Sequence, residues 1–367
     1  MTSETNAHEN FLDTSRATRS GEELDEARLS SYLGEHLPGF EGTLSIEQFP
    51  AGFSNLTYLL RAGRREFVLR RPPFGAKIKT AHDMSREYRI LKRLYPVYQK
   101  VPRPVLFCED ESVIGAPFYL MERVTGIILR AQPPAGLTLT PDVMQRLSKS
   151  FIENLAEIHS VDYKRAGLSE LGQPLGYVSR QVEGWTKRYF NARTDDVSSI
   201  ERLAAWLAER TPKDSEQSAL IHNDYKYDNL VLAPVDLTKI IAVLDWEMAT
   251  IGDPLMDLGT ALGYWVDADD PAEWQAHGFG LTVLSGNLGR REMLDYYARL
   301  TAREIPNAVF YYAYGLLKIA VIVQQIYFRY RQGLTKDPRF AHLLNLVKAC
   351  GNLGERAIEK NRIDRLG

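Results

Sequence analysis

The chain has 367 residues, 44% apolar and 25% charged, with a formal net charge of −2. This is the composition of an ordinary globular protein, at a length that suits one two-lobed unit or two to three domains. There is no basic excess to draw nucleic acid or an anionic membrane, and two cysteines, Cys108 and Cys350, are too few for a disulfide framework or a zinc site. No run approaches the roughly 18 apolar residues of a membrane span, and the start, MTSETNAHEN, lacks a basic-then-apolar leader. The expectation is a cytoplasmic monomer or homodimer without nucleic-acid or membrane partners.

Residues 1–23 are polar and aperiodic and read as a disordered or loosely attached tail. A helix carrying Leu29, Tyr32, Leu33 and Leu37 on one side ends at Pro38-Gly39. Short strands follow at Leu44–Phe49, Thr57–Ala62 and Glu66–Arg71. The segment from Pro50 to Asn55 is either a plain hairpin turn or a small, polar loop whose backbone N–H groups could cover an anion. A helix is predicted from Ala81 to Leu94, then strands at Pro104–Glu109 and Pro117–Val124. Pro133-Pro134-Ala135-Gly136 punctuates a boundary. Beyond it the pattern turns helical: from Thr140-Pro141 to near His159, then Gly176–Asn191, Ser199–Arg210, Asp253–Val266, Arg290–Glu304, Val309–Arg331 and Arg339–Asn361. His159 reads as a packed or capping histidine. The implied domains are a tail (1–23), a strand-rich lobe (24–126) and a helical lobe (127–367).

The most informative stretch is Ile221–Gly259, IHNDYKYDNLVLAPVDLTKIIAVLDWEMATIGDPLMDLG. It contains His222-x-Asp224-x4-Asn229 and then an apolar strand, Ile240–Leu244, closed by Asp245. A carboxylate that accepts a hydroxyl proton, and oxygen ligands for the Mg²⁺ that bridges nucleotide phosphates, are what phosphoryl transfer needs from a protein. Asp224 suits the first role; Asn229 and Asp245 suit the second. The spacing of Asp224 and Asn229 is that of a protein-kinase catalytic loop. Leu230-Val231-Leu232 is expected to pair with Ala242–Leu244 through a rather long turn, Ala233–Lys239, placing Asn229 and Asp245 on one side of a metal site. Glu247 could help hold a second metal, though as a solvent-facing acid it needs no special role, and Asp253 before Pro254 reads as a helix N-cap.

This stretch resembles the aminoglycoside phosphotransferase/choline kinase superfamily, and more narrowly the kinase-like domain that precedes an acyl-CoA dehydrogenase in some proteins. The resemblance covers about residues 40–345. It implies an α+β, protein-kinase-like fold, with a small antiparallel N-terminal lobe that binds nucleotide and a larger, mainly helical catalytic lobe. ATP would be co-substrate and Mg²⁺ the cofactor. The loop with Ser54 and Asn55 would cover the nucleotide, Arg70 would stand where kinases have lysine, and Glu87 would pair with it. Residues Glu122 to Val124 would read the adenine edge, mostly through backbone. Asp257 would accept backbone N–H bonds from the catalytic loop, with His222 as scaffold. Asn223 departs from the glycine more common at its position.

The expected reaction is phosphorylation of a small molecule's hydroxyl. Basic and aromatic residues (Arg180, Gln181, Trp185, Lys187, Arg188, Tyr189, and the run Tyr327–Gln332) suit an anionic or CoA-bearing acceptor better than a cation. The resemblance therefore favours a hydroxyacyl compound, with an aminoglycoside as the alternative. A catalytically weak nucleotide-binding module that partners an acyl-CoA dehydrogenase is the competing reading. No flavin site is present in the sequence.

Overall fold

The computed structural model describes residues 8–50, 55–74, 83–213, 217–277, 280–335 and 337–367. The strands are β1 (Leu44–Gln48), β2 (Leu56–Ala62), β3 (Arg65–Arg71), β4 (Pro104–Cys108), β5 (Phe118–Glu122), β6 (Ala219–Ile221), β7 (Leu230–Ala233), β8 (Asp236–Val243) and β9 (Thr250–Gly252). The helices are α1 (Glu26–His36), α2 (Met84–Leu94), α3 (Glu111–Ile114), α4 (Pro141–Ser160), α5 (Tyr177–Ala192), α6 (Ser198–Glu209), α7 (Pro254–Gly263), α8 (Ala272–Gln275), α9 (Arg290–Thr301), α10 (Ala308–Arg331) and α11 (Leu343–Lys360). Two compact units result. The first comprises Met1–Ile128, Leu230–Asp236 and Ile240–Glu247; the second comprises Leu129–Asn229, Leu237–Lys239 and Met248–Gly367. The first is thus discontinuous, where the sequence suggested a single cut near residue 126.

In the first unit a five-stranded antiparallel sheet runs β1-β2-β3-β5-β4. Pairing Tyr58 with Leu69, Leu60 with Phe67, and Leu69 with Leu120 puts these side chains into one core, closed by Leu29 and Leu33 of α1. Residues four apart on a helix share a face, so α1 needs only that pair to dock. Asp25 caps its first turn by accepting from the Arg28 N–H. Helix α2 starts three residues later than predicted, because Asp83 takes the N-cap and accepts from the Arg86 N–H. The hairpin β7–β8 pairs Leu230 with Val243 and Val231 with Ala242. That pairing matches expectation, but the turn is tight: Ala233 already pairs with Asp236, and only Pro234 and Val235 lie between.

Residues 8–23 do not trail as the expected tail. Arg16 bridges to Gln48, the Gln48 side chain bonds both the Arg19 N–H (3.0 Å) and Glu22 (2.6 Å), and the Tyr58 hydroxyl donates to the Glu22 carbonyl (2.7 Å). The polar composition misled because this strap is held by hydrogen bonds to the sheet edge and not by an apolar face.

The second unit is built around α10, which packs on α11, α7, α5 and α6. By length and hydropathy α10 is apolar enough to cross a membrane, beyond what the sequence reading allowed, yet 78% of its apolar window is buried inside the protein. Its neighbour α7 begins at an Asp253 N-cap followed by Pro254, as predicted. The short ribbon β6–β9 and the single-turn helices α3 and α8 were not foreseen; runs of three or four residues carry too little periodicity to be read.

Helices α7 and α10 touch backbone to backbone at Gly259 and Gly315. A Cβ on Gly259 would lie 2.2 Å from the Tyr311 carbonyl oxygen, and one on Gly315 would lie 2.2 Å from the Gly259 carbonyl oxygen. Alanine would ordinarily favour a helix by about 1 kcal/mol over glycine, but here the clash is with main chain and cannot be relieved by a rotamer change. Gly259→Ala is therefore expected to destabilise the protein by about 3 kcal/mol, read from the denaturant midpoint; an unchanged midpoint would show that the helices separate freely.

Candidate functional site

The first unit brings Arg70, Glu87 and Asp245 together. Arg70, on β3, is 8% exposed. Its Nη1 donates to Glu87 Oε1 at 2.6 Å and its Nη2 to Asp245 Oδ1 at 3.1 Å, with Glu247 at 3.8 Å. The pairing of Arg70 with Glu87 is thus present in the geometry, and the guanidinium fork makes a second bond that a lysine ammonium on the same stem would have to share. Burial pushes the Glu87 carboxyl above its usual range despite the arginine beside it. Burial opposes the charge on Arg70 too, but Glu87, Asp245 and Glu247 hold it firmly protonated.

Asp245 follows the end of β8 and has φ +67, a left-handed conformation that aspartate tolerates better than most residues. Asn55 is buried, and its amide donates to the Glu247 carboxylate at 2.7 Å. Arg86 of α2 donates to the Glu247 carbonyl. Glu247 is therefore an organising residue of this cluster, which the sequence reading passed over. Ser54 lies outside the described residues.

The adenine-edge residues Glu122 and Val124 separate in the structure. The Glu122 N–H donates to the Arg103 carbonyl at 2.8 Å, and its carboxylate pairs with the Arg103 guanidinium at 3.0 Å. Those bonds commit the Glu122 N–H and carboxylate within the first unit. Val124 packs against Ile128, Val231 and Ala242, and among the described residues nothing accepts its N–H.

The second unit holds the catalytic-loop residues. Asp257, on α7, is fully buried and accepts the backbone N–H groups of His222 and Asn223, each at 2.7 Å, together with His159 Nε2 at 3.1 Å. Burial would raise its carboxyl, but the bond from His159 and the nearby His222 hold it below the usual range. His159, fixed on its other side by the Tyr297 hydroxyl at 2.7 Å, braces Asp257 and is a packed histidine as expected. His222 is wholly buried and accepts the Asp224 N–H through Nδ1 at 3.2 Å.

Within this loop Asn229 Nδ2 donates to the Asp224 carbonyl at 2.8 Å and to its carboxylate at 3.1 Å. Lys226, which the sequence reading missed, reaches both Asp224 carboxylate oxygens, at 3.1 and 2.9 Å, and lies 4.9 Å over the Tyr264 ring. A lysine two residues beyond a candidate base in a turn was the available signal. Burial alone would raise the Asp224 carboxyl, but Lys226 holds it below the ordinary range, so it is ionised at neutral pH. Burial likewise works against the Lys226 ammonium, and Asp224 more than restores it.

The oxygen donors suit Mg²⁺. Asn229 commits its amide nitrogen to Asp224, which leaves its carbonyl oxygen, and Asp245 is a partly exposed carboxylate. Among the described residues no group of three His, Cys, Asp or Glu could hold a metal alone. A site with one or two protein oxygens plus phosphates is the usual way this ion is bound.

Residues 45–296 match the model of the phosphotransferase enzyme family. The chain belongs to that family. Among similar proteins, the human acyl-CoA dehydrogenase family member 11 is 36% identical over 90% of this phosphotransferase chain and 43% of its own length. The Arabidopsis thaliana protein named probable acyl-CoA dehydrogenase IBR3 is 30% identical over 86% of the chain and 40% of its own length. The chain thus spans less than half of these curated relatives. A solved structure from Ralstonia eutropha JMP134, which carries an aminoglycoside phosphotransferase designation, superposes with TM-score 0.75 at 30% identity, covering 91% of this chain and 99% of that one. The GDP and kanamycin complex of APH(2″)-IIIa shares the fold, with TM-score 0.60 at 14% identity. The kinase-like α+β fold, with an antiparallel N-terminal sheet and a mostly helical remainder, is therefore that of the phosphotransferase family.

Proposed function

We propose that this phosphotransferase moves the γ-phosphoryl group of ATP to a hydroxyl of a small, anionic molecule, a hydroxyacyl compound carried as a CoA thioester being the favoured class. The observation that carries the reading is Asp224: half-buried, held ionised by Lys226 and His222, and fixed by Asn229. In this role Asp224 orients the acceptor hydroxyl and takes its proton as the P–O bond forms. A bound Mg²⁺ would supply the positive charge that offsets the phosphates in the transfer. Asp245 in the first unit and Asn229 in the second each present an oxygen of the kind that would hold it. Arg70 neutralises phosphate, kept in place by Glu87.

Charge supports an anionic acceptor over a polycationic aminoglycoside. In the second unit the exposed Arg188 guanidinium lies 4.5 Å from the centroid of the Trp185 ring. Of the other basic and aromatic candidates, Arg180 is tied to the Leu175 and Gln173 carbonyls, Tyr189 is buried in the core, and Arg331 is engaged by Tyr327 and Asp195. The aminoglycoside reading keeps one specific support, the designation of the Ralstonia structure. The relatives' names make an acyl-CoA dehydrogenase a natural partner to propose.

The first test is thermal unfolding with Mg-ATP, with ATP plus chelator, and with neither. A ligand that binds only the folded state at a hundred times its Kd adds about 2.7 kcal/mol, so a magnesium-dependent rise in Tm is expected, and Asp245→Ala should remove it. Turnover is then compared between hydroxyacyl-CoA compounds and aminoglycosides. No shift with saturating Mg-ATP would leave only the family fold and shift the reading to a partner module.

A further inference from the structure

Lys318 lies mid-helix in α10 and is 1% exposed. A buried ammonium normally sits against a carboxylate. This one instead donates to the backbone carbonyl of Asn223 at 2.5 Å and to Asn223 Oδ1 at 3.2 Å. Asn223 is the residue before Asp224 and has φ +68, the left-handed region where a side chain is unfavourable. Its N–H is taken by Asp257 and its Nδ2 donates to the Met248 carbonyl at 3.1 Å. The Tyr177 hydroxyl lies 3.4 Å from Oδ1.

We infer that Lys318 is a positioning residue for phosphoryl transfer: its ammonium grips the Asn223 carbonyl and thereby fixes the peptide plane that aims the Asp224 carboxylate. The inference rests on Asp224 being the proton acceptor. An anion, Asp257, holds the N–H side of Asn223 while a cation holds its carbonyl side. The two peptide units flanking a left-handed residue are thus pinned with opposite charges, and a flip of either takes a hydrogen bond away from a buried charge.

The charged groups acting on Lys318 are Asp257 of α7 and Asp224, which favour the ammonium, and Lys226 and Arg188 of α5, which oppose it; Tyr177 of α5 and Tyr314 of α10 stand nearby. Burial outweighs all of these and draws Lys318 down to about 8. The charged clamp is present below that pH and fades as pH rises through it.

The test uses the full chain with Lys318→Met, which keeps length and removes charge. Two readouts are taken: amide hydrogen exchange across residues 221–229 without nucleotide, and phosphate release from Mg-ATP to water. Faster exchange in that segment is expected, with kcat reduced about a hundredfold, the scale of a misplaced catalytic group, and KM for ATP unchanged. Adding Asn223→Gly should recover part of the loss, because glycine adopts φ +68 without strain.

If the wild type releases no phosphate to water, the exchange data alone judge the clamp. Unchanged exchange and kcat in Lys318→Met, or a loss that Asn223→Gly leaves untouched, overturns the inference. Should Lys318→Met not fold, Lys318→Arg decides. Its alkaline loss of turnover must lie above the wild type's fall near pH 8, and coincident profiles refute the clamp.

Discussion

Asp224→Asn is expected to lower ATP-dependent turnover about a thousandfold, within the span that positioned proton acceptors supply, while affinity for Mg-ATP stays nearly unchanged. The substitution is close to isosteric. The amide oxygen can still accept from Lys226, and the bond from the Asn229 side chain reaches the main-chain carbonyl of residue 224, which the substitution leaves in place. What disappears is the lone pair that takes the proton. Separate measurement of kcat and of calorimetric Mg-ATP affinity checks this. Unchanged turnover removes Asp224 as base, and a parallel loss of affinity would make it a ligand instead.

The pH dependence sharpens that prediction. Because Lys226 holds the carboxyl below its ordinary range, wild-type turnover should show no acid limb from Asp224 at or above that range. Burial is the largest influence on this group and pushes upward. Lys226→Met removes the largest opposition to that push, so the acid limb should move to higher pH. A limb that stays where it was would mean that Lys226 is not what keeps the base ionised.

Much of the fold was legible because its signals are local. Apolar spacing announced α4, α5 and α10, caps announced α7, and alternation announced the sheet. The cluster at Asp224 was legible because its members lie within one turn-rich segment. Lys226 was missed for the opposite of distance: it sits inside the motif, in a position the motif does not name. Glu247 and Lys318 were invisible for a different reason. Each acts on a residue far away in sequence, Glu247 on Asn55 and Lys318 on Asn223, and nothing in a polar side chain's neighbours along the chain reveals which distant carbonyl or amide it will meet. The strap of residues 8–23 escaped notice likewise, since side-chain hydrogen bonds to a sheet edge leave no periodic trace.

Arg70→Met is expected to be the most destabilising change in the first unit, by about 3–5 kcal/mol, as when one partner of a buried ion pair is removed. Glu87 is 1% exposed and loses the cation at 2.6 Å, while Asp245 and Glu247 lose the charge that offsets their repulsion. The sign of the pH effect follows from linkage. Glu87 has a raised pKa in the folded protein, so above its ordinary 4.5 the native state binds more protons than the unfolded one and stability falls with rising pH. Without Arg70 that rise is larger and the fall continues further, so the deficit of the variant should be greatest near neutrality and shrink toward pH 5 as Glu87 takes a proton. Urea midpoints at both pH values measure it. Arg70→Lys restores a charge but not the fork, and one ammonium must choose between Glu87 and Asp245. A lysine variant as stable as wild type would show that the second bond, from Nη2 to Asp245, contributes nothing, and that arginine stands here for the sake of the phosphate rather than the protein.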